Sequence, residues 1–283
     1  MTEPIFSDEK IANLVNKMPA FPRSVQQILV LTSDINCAAK DLVNVIEHDP
    51  VLTGRILKVV NSAYFGLSRK MTSVKHAVVF VGINTIKHLA LSIAAVGSLP
   101  RHNKAGLAFG KYLRHSLATG AIARQLAVET GLSGREAEDY FLAGLIHDIG
   151  KIVLSLHTGP EYRDTLKLIE EQNEPNWRIE EAQLGISHPA ISMMVCEKWQ
   201  MPEVVCSAIR HHHQLPDDTE PTRLMACLYT ANALADVLAG QKDTPPLPNI
   251  LATKYGFVLD EMRAQKDRFQ NEIKKVGIFL SID

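Results

Sequence analysis

The stretch Leu142-Ala-Gly-Leu-Ile-His147-Asp148-Ile-Gly-Lys151 sets an imidazole and a carboxylate side by side inside an apolar run. Charge placed in such a setting needs partners, because an isolated buried carboxylate is strongly disfavoured. Neighbouring residues of a helix point about 100° apart, so His147 and Asp148 meet a common point only where helices converge. Gly144, one turn earlier, is expected to leave room beside the imidazole. Imidazole and carboxylate together suit a divalent transition metal, and an open coordination position would hold a water of lowered pKa. The plain alternative is a buried His–carboxylate pair that needs no metal.

Outward from this segment the periodicity is helical, and no period-2 run reads as a strand. On the N-terminal side, Ser7 is placed to cap a helix carrying Ile11, Leu14 and Val15, and Val25, Ile28, Leu29 and Leu31 mark a second helix. A third spans residues 38–47, Asp49-Pro50 is an N-cap followed by proline at N1, and Ser73 caps a further helix interrupted at Gly82. About five short helices therefore fill the first hundred residues. The polar, turn-rich stretch Leu99-Pro-Arg-His-Asn-Lys-Ala-Gly106 separates two lobes, residues 1–103 and 104–283. A long helix over residues 108–130 is stopped by Gly131, and Ser133-Gly-Arg-Glu136 is a capping box for the helix holding Phe141, Leu142 and Leu145. Helices follow over residues 161–172, 177–184, 189–199, 202–211 and 223–239, then a proline-rich loop at 240–248 and an amphipathic helix at 260–276. The expected fold is all-α, a two-lobed helical bundle.

Composition narrows the function. With 30 basic against 31 acidic residues, a net charge of -1 provides no broad basic field for nucleic acid. The four cysteines form no CxxC pair; Cys196, Cys206 and Cys227 sit among apolar neighbours and read as core, as expected of a reducing cytoplasm. No secretory h-region follows Met1. The most apolar part, residues 77–99, is broken by Gly82, Asn84, Lys87 and His88, so no membrane span is expected. The unusual figure is 11 histidines, three of them consecutive at 211–213. His115 shares a helix face with Ala118, Thr119 and Ile122, His188 opens a helix at Ser187-His188-Pro189, and His212 and His213 are placed at the end of the helix that begins at Pro202. In a helical bundle these side chains can converge with His147 and Asp148. A helix C-terminus also attracts histidines through the helix dipole alone, and Lys151 is equally readable as a solvated lysine.

His115, then His147-Asp148-Ile-Gly-Lys151, Gly185-Ile-Ser-His188, Trp199-Gln-Met-Pro202 and Ile209-Arg-His-His212-His213 together resemble the HD superfamily of metal-dependent phosphohydrolases. The first lobe is more specific. Met18-Pro19-Ala-Phe21-Pro22, Glu47-His-Asp49-Pro50-Val-Leu52, Val59-Val-Asn61-Ser62-Ala63-Tyr64-Phe65 and His76-Ala77-Val-Val-Phe-Val81-Gly82 resemble the HDOD domain, the HD-related output domain. The resemblance covers roughly residues 14–240 and implies a bacterial signal-transduction regulatory module.

The resemblance also implies a ligand set: His115, His147 and Asp148 match the HD metal ligands, and His188, His212 and His213 match the extra ligands of HD-GYP phosphodiesterases. The final HD aspartate aligns with Asn232, and Asp236 follows one turn later. An amide ligates a divalent ion more weakly than a carboxylate, and no GYP motif follows His213, so efficient catalysis is not expected. Three readings follow. One is a signalling output module that binds the signalling proteins supplying its input. Another is a metal-dependent phosphohydrolase of a nucleotide or cyclic dinucleotide, using iron or manganese in a mono- or dinuclear site, with Asp148 and Lys151 as catalytic residues. The third is a sensing switch in which bound metal only biases lobe packing.

Overall fold

The sequence determines an all-helical chain in the computed structural model, which describes residue 6 and residues 8–18, 21–33, 38–99, 104–172, 174–241 and 244–281. Among these residues there is no strand. The first six helices are α1 (Asp8–Asn16), α2 (Arg23–Ser33), α3 (Ala39–Glu47), α4 (Pro50–Val60), α5 (Val74–Val81) and α6 (Ile83–Ser98). Their starts follow local chemistry. Asp49 caps α4 by accepting from the backbone N–H of Leu52 at 2.9 Å, with Pro50 at N1, and Ser73 caps α5 through the N–H of His76 at 3.3 Å. Gly82 adopts φ +94°, a conformation that L side chains avoid, and turns α6 by 118° from α5. That bend interrupts the apolar run. No single helix among the described residues is long and apolar enough to cross a membrane. The Ser7 cap, Cys37 and the Pro100–Asn103 boundary lie outside the described residues.

The second part begins with α7 (Phe109–Glu129), the longest helix, followed by α8 (Glu138–Ile146), α9 (Ile149–His157), α10 (Pro160–Glu171) and α11 (Asn176–Leu184). Next come α12 (His188–Lys198), α13 (Glu203–Arg210), α14 (Arg223–Leu238), α15 (Asn249–Tyr255), α16 (Leu259–Ala264) and α17 (Lys266–Lys275), closed by a 3-10 turn at Val276–Ser281. Ile28, Leu42, Ile46, Ile56, Val153 and Leu154 are fully buried, each contributing about 2 kcal/mol of apolar transfer. Their cluster continues through Phe141 to Phe279, whose ring packs against both Phe141 and Tyr64. A second cluster joins Ile122 and Leu126 of α7 to Leu234 of α14, Leu251, Met262 and Phe269. The three described cysteines are buried in the core as expected, and burial pushes the Cys206 thiol up to about 11.

Four features differ from the sequence reading. Six helices, not about five, lie in the described part of the first hundred residues, because the turn at Gly82 splits the fifth in two. The Ser133–Glu136 box forms, with the Ser133 N–H donating to Glu136 at 2.9 Å, but it closes a turn; α8 starts only at Glu138. The expected tail helix breaks at Gln265 into α16 and α17. α15 has no counterpart in the periodicity reading, since seven residues present too short a stripe to register.

Candidate metal centre

His147 and Asp148 do not lie within one helix. α8 ends at Ile146 and α9 starts at Ile149, so the pair occupies the junction between them. Glycines allow this placement. A Cβ at Gly144 would stand 2.5 Å from Gly120 Cα, so Gly144 serves the close crossing of α7 and α8 instead of clearing space for an imidazole. A Cβ at Gly150 would collide with the His188 carbonyl, which brings α9 against the start of α12. The Gly150 N–H donates to Ser192 at 2.8 Å and fixes that approach. His212 and His213 likewise lie past the end of α13, which closes at Arg210. Leaving the helix frees both rings to turn inward together.

Each central imidazole is oriented through its Nδ1. His147 Nδ1 donates to the Gly144 carbonyl at 2.7 Å, and His212 Nδ1 to the Ile209 carbonyl at 2.6 Å. His188 Nδ1 lies 2.6 Å from Glu180, whose same oxygen also accepts the His188 backbone N–H at 2.7 Å. Because a carbonyl only accepts, the proton is on Nδ1 of His147 and His212 and their Nε2 carries a lone pair. These Nε2 atoms surround Asp148: His188 at 3.2 Å and His212 at 3.5 Å from Oδ1, His147 at 3.5 Å and His115 at 3.8 Å from Oδ2. His213 Nε2 lies 3.1 Å from His188 Nε2.

Burial favours the neutral form of three of the rings and not of His188. Burial pushes His147 down to about 3 and His212 down to about 4, and holds His213 well below the usual range. Burial also lowers His188, but the Glu180 carboxylate outweighs it and raises the group above its ordinary value. Burial raises Asp148, yet His147, Lys151 and His188 together hold its carboxyl well below the usual carboxylate range. Lys151 Nζ is 2.7 Å from Asp148 Oδ2, so it is ion-paired and not simply solvated. His115 is less enclosed: its Nε2 is 2.9 Å from Asn232 Oδ1 and its Nδ1 is 3.4 Å from Asp236.

Three buried atoms at the centre have no hydrogen-bond partner: His147 Nε2, His212 Nε2 and Asp148 Oδ1. All are acceptors, His212 Nε2 set against Oδ1 and His147 Nε2 against Oδ2 of Asp148, and acceptors crowded in this way are unfavourable without a cation. The donor atoms form two groups, each within 4.8 Å: Asp148, His188, His212 and His213, and His115, His147 and Asp148. This buried His/Asp cluster can hold a metal, and nitrogen with a single carboxylate suits a transition ion better than calcium or magnesium.

The structure thus brings all the sequence-selected residues together, and adds one that sequence reading missed. Glu180 is fully buried and holds both His188 and the Tyr162 hydroxyl, the latter at 2.9 Å. Lying on α11, eight residues before His188, it follows no ligand spacing; a glutamate in a half-apolar helix was the only signal. The cluster opens into a cavity of about 1120 Å³ lined by both polar and apolar residues, Tyr112, His115, Lys151, Leu166 and Asp236 among them.

An all-α chain folded around a buried His/Asp cluster is the class these observations define. The HDOD domain model matches residues 18–215, and the chain belongs to the HDOD family. An uncharacterized protein of Treponema pallidum (strain Nichols) is 28% identical over 243 residues, covering 85% of this chain and 46% of that protein. The chain therefore spans about half the length of the curated relative it matches. An HDOD domain protein of unknown function from Geobacter sulfurreducens shares the fold with TM-score 0.72 and 22% identity, over 96% of this chain and 98% of that one. A candidate phosphohydrolase of Shewanella amazonensis SB2B does so with TM-score 0.73 and 20% identity, over 95% and 97%.

Proposed function

We propose that this chain is a signal-transduction output module that holds a divalent transition metal, iron or manganese, as part of its folded core and is not an efficient enzyme. The observation that carries this reading is Asn232. Its amide stands 2.9 Å from His115, where the HD pattern has a carboxylate, while the remaining donors are kept. A metal would be held by Asp148 and the surrounding imidazoles, and their buried, preorganised shell suits retention better than exchange. Its partners are signalling proteins that supply the input, and the site of action is the bacterial cytoplasm.

A second reading, a metal-dependent phosphohydrolase, is favoured by the cavity, whose lining includes the cations Lys111, Arg114, Lys151, Arg163, Lys167 and Lys274. These would attract a nucleotide phosphate, Asp148 and Lys151 would be the catalytic residues, and a bound metal would supply Lewis-acid polarisation and a water of lowered pKa. The full chain, incubated with Mn(II) or Fe(II), bis(p-nitrophenyl) phosphate and cyclic dinucleotides, separates the two. The output-module reading expects no turnover above that of Asp148→Ala. Metal-dependent turnover that Asp148→Ala abolishes overturns it in favour of the hydrolase.

A further inference from the structure

The two donor groups share Asp148 but are not equivalent. The first offers four donors, Asp148, His188, His212 and His213, and the second only three, His115, His147 and Asp148. The two oxygens of Asp148 divide between them. Oδ1 faces His188 and His212 and has no hydrogen-bond partner, whereas Oδ2, on the side of His147 and His115, is already ion-paired with Lys151 Nζ at 2.7 Å.

His115 differs in the same direction. The Asn232 carbonyl oxygen at 2.9 Å is an acceptor, so the His115 Nε2 that faces Asp148 carries the hydrogen and has no lone pair for a metal. Asp236 reaches only the other ring nitrogen of His115. Charge adds to the imbalance. Two divalent ions sharing one carboxylate beside an ammonium would place several uncompensated positive charges in a buried site, which is strongly unfavourable. Glu180, behind His188, adds its negative charge to the first group alone.

We infer that the chain binds one divalent transition-metal ion, at Asp148, His188, His212 and His213, and that Asn232 and the Lys151 ammonium together stand in the place of a second ion. Asn232 is thus the residue that sets metal stoichiometry. This inference rests on the proposed metal-holding role, and the experiment separates the two.

Purified full chain is equilibrated with excess Mn(II), desalted, and analysed for manganese per chain by mass spectrometry and for its spin-resonance spectrum, with circular dichroism confirming the fold of each variant. The native chain is expected to retain one ion with the spectrum of an isolated Mn(II). His213→Ala and the more conservative His213→Gln are expected to lose it, and His115→Ala to keep it. Asn232→Asp is expected to raise the count to two, with the spectrum of an exchange-coupled pair. Two ions in the native chain overturn this inference while leaving the metal-holding role intact. So does one ion that survives both His213 variants but is lost in His115→Ala, or a count that stays at one in Asn232→Asp. No retained ion in the native chain overturns both.

Discussion

α8 carries a buried carboxylate at each end, and the two are treated in opposite ways. At its start, Glu138 accepts the Tyr64 hydroxyl at 2.8 Å on one oxygen and the Arg124 guanidinium at 2.7 Å on the other. Past its end, Asp148 has one oxygen on Lys151, while the other faces the imidazoles of His188 and His212 and has no hydrogen-bond partner. Burial alone therefore does not distinguish a structural from a functional acid, since both side chains are at most 3% exposed. Satisfaction does. A closed set of donors ties the loop after α4 to α7 and α8, whereas an open set of acceptors marks where something else belongs.

Removing the closed set is predicted to have the largest effect on stability. Glu138→Ala leaves the Arg124 guanidinium without its carboxylate and the Tyr64 hydroxyl without its acceptor, and is expected to lower unfolding free energy by about 3–4 kcal/mol. Urea denaturation measures this directly. Metal retention by the fraction still folded is expected to be unchanged, since the Asp148 cluster lies at the far end of α8. A loss of less than about 1 kcal/mol would mean that the Glu138 contacts are no stronger than surface pairs.

Gly144→Ala tests the rod between the two ends. The added methyl meets the backbone of Gly120, which has no flexible end to move aside, so α8 must shift away from α7. An overpacking loss of about 2–3 kcal/mol is expected, with the ion kept, because His147, which the Gly144 carbonyl orients, lies outside the four-donor group. Metal lost together with stability would show that His147 takes part in holding the ion.

How much of this was legible in the sequence differs between the same two regions. Asp49, Ser73 and Gly131 announce helix ends through local chemistry, and their helices fall where the pattern places them. The histidines of the cluster were visible as residue types at familiar spacings. Their geometry was not, because it depends on where helices stop: His147, Asp148, His212 and His213 all lie just off a helix, and periodicity locates ends poorly. Glu138 and Glu180 were invisible for a further reason. Each satisfies a partner distant along the chain or outside any ligand motif, Tyr64 from the loop after α4 and His188 from the next helix, and a single glutamate in a helix looks solvent-facing until the tertiary fold is known.

The smallest expected effect comes from the residue beside Glu138. Asp139 meets His88 Nε2 of α6 at 2.6 Å, so it links α6 to α8 at the closed end, although its side chain is half exposed. Burial raises its carboxyl, but the hydrogen bond and charge of His88, with Lys87 nearby, outweigh this and hold it below the ordinary value. A carboxyl that is more acidic folded than unfolded contributes stability above the unfolded value of about 3.9, and loses it as pH falls through the lower folded value. Acid should therefore loosen the α6–α8 contact only below about pH 4. Hydrogen exchange at the start of α8 is expected to rise there in the native chain. In Asp139→Asn the rise should be absent, with faster exchange already present at neutral pH. An identical acid profile in both would assign the loosening to another carboxylate.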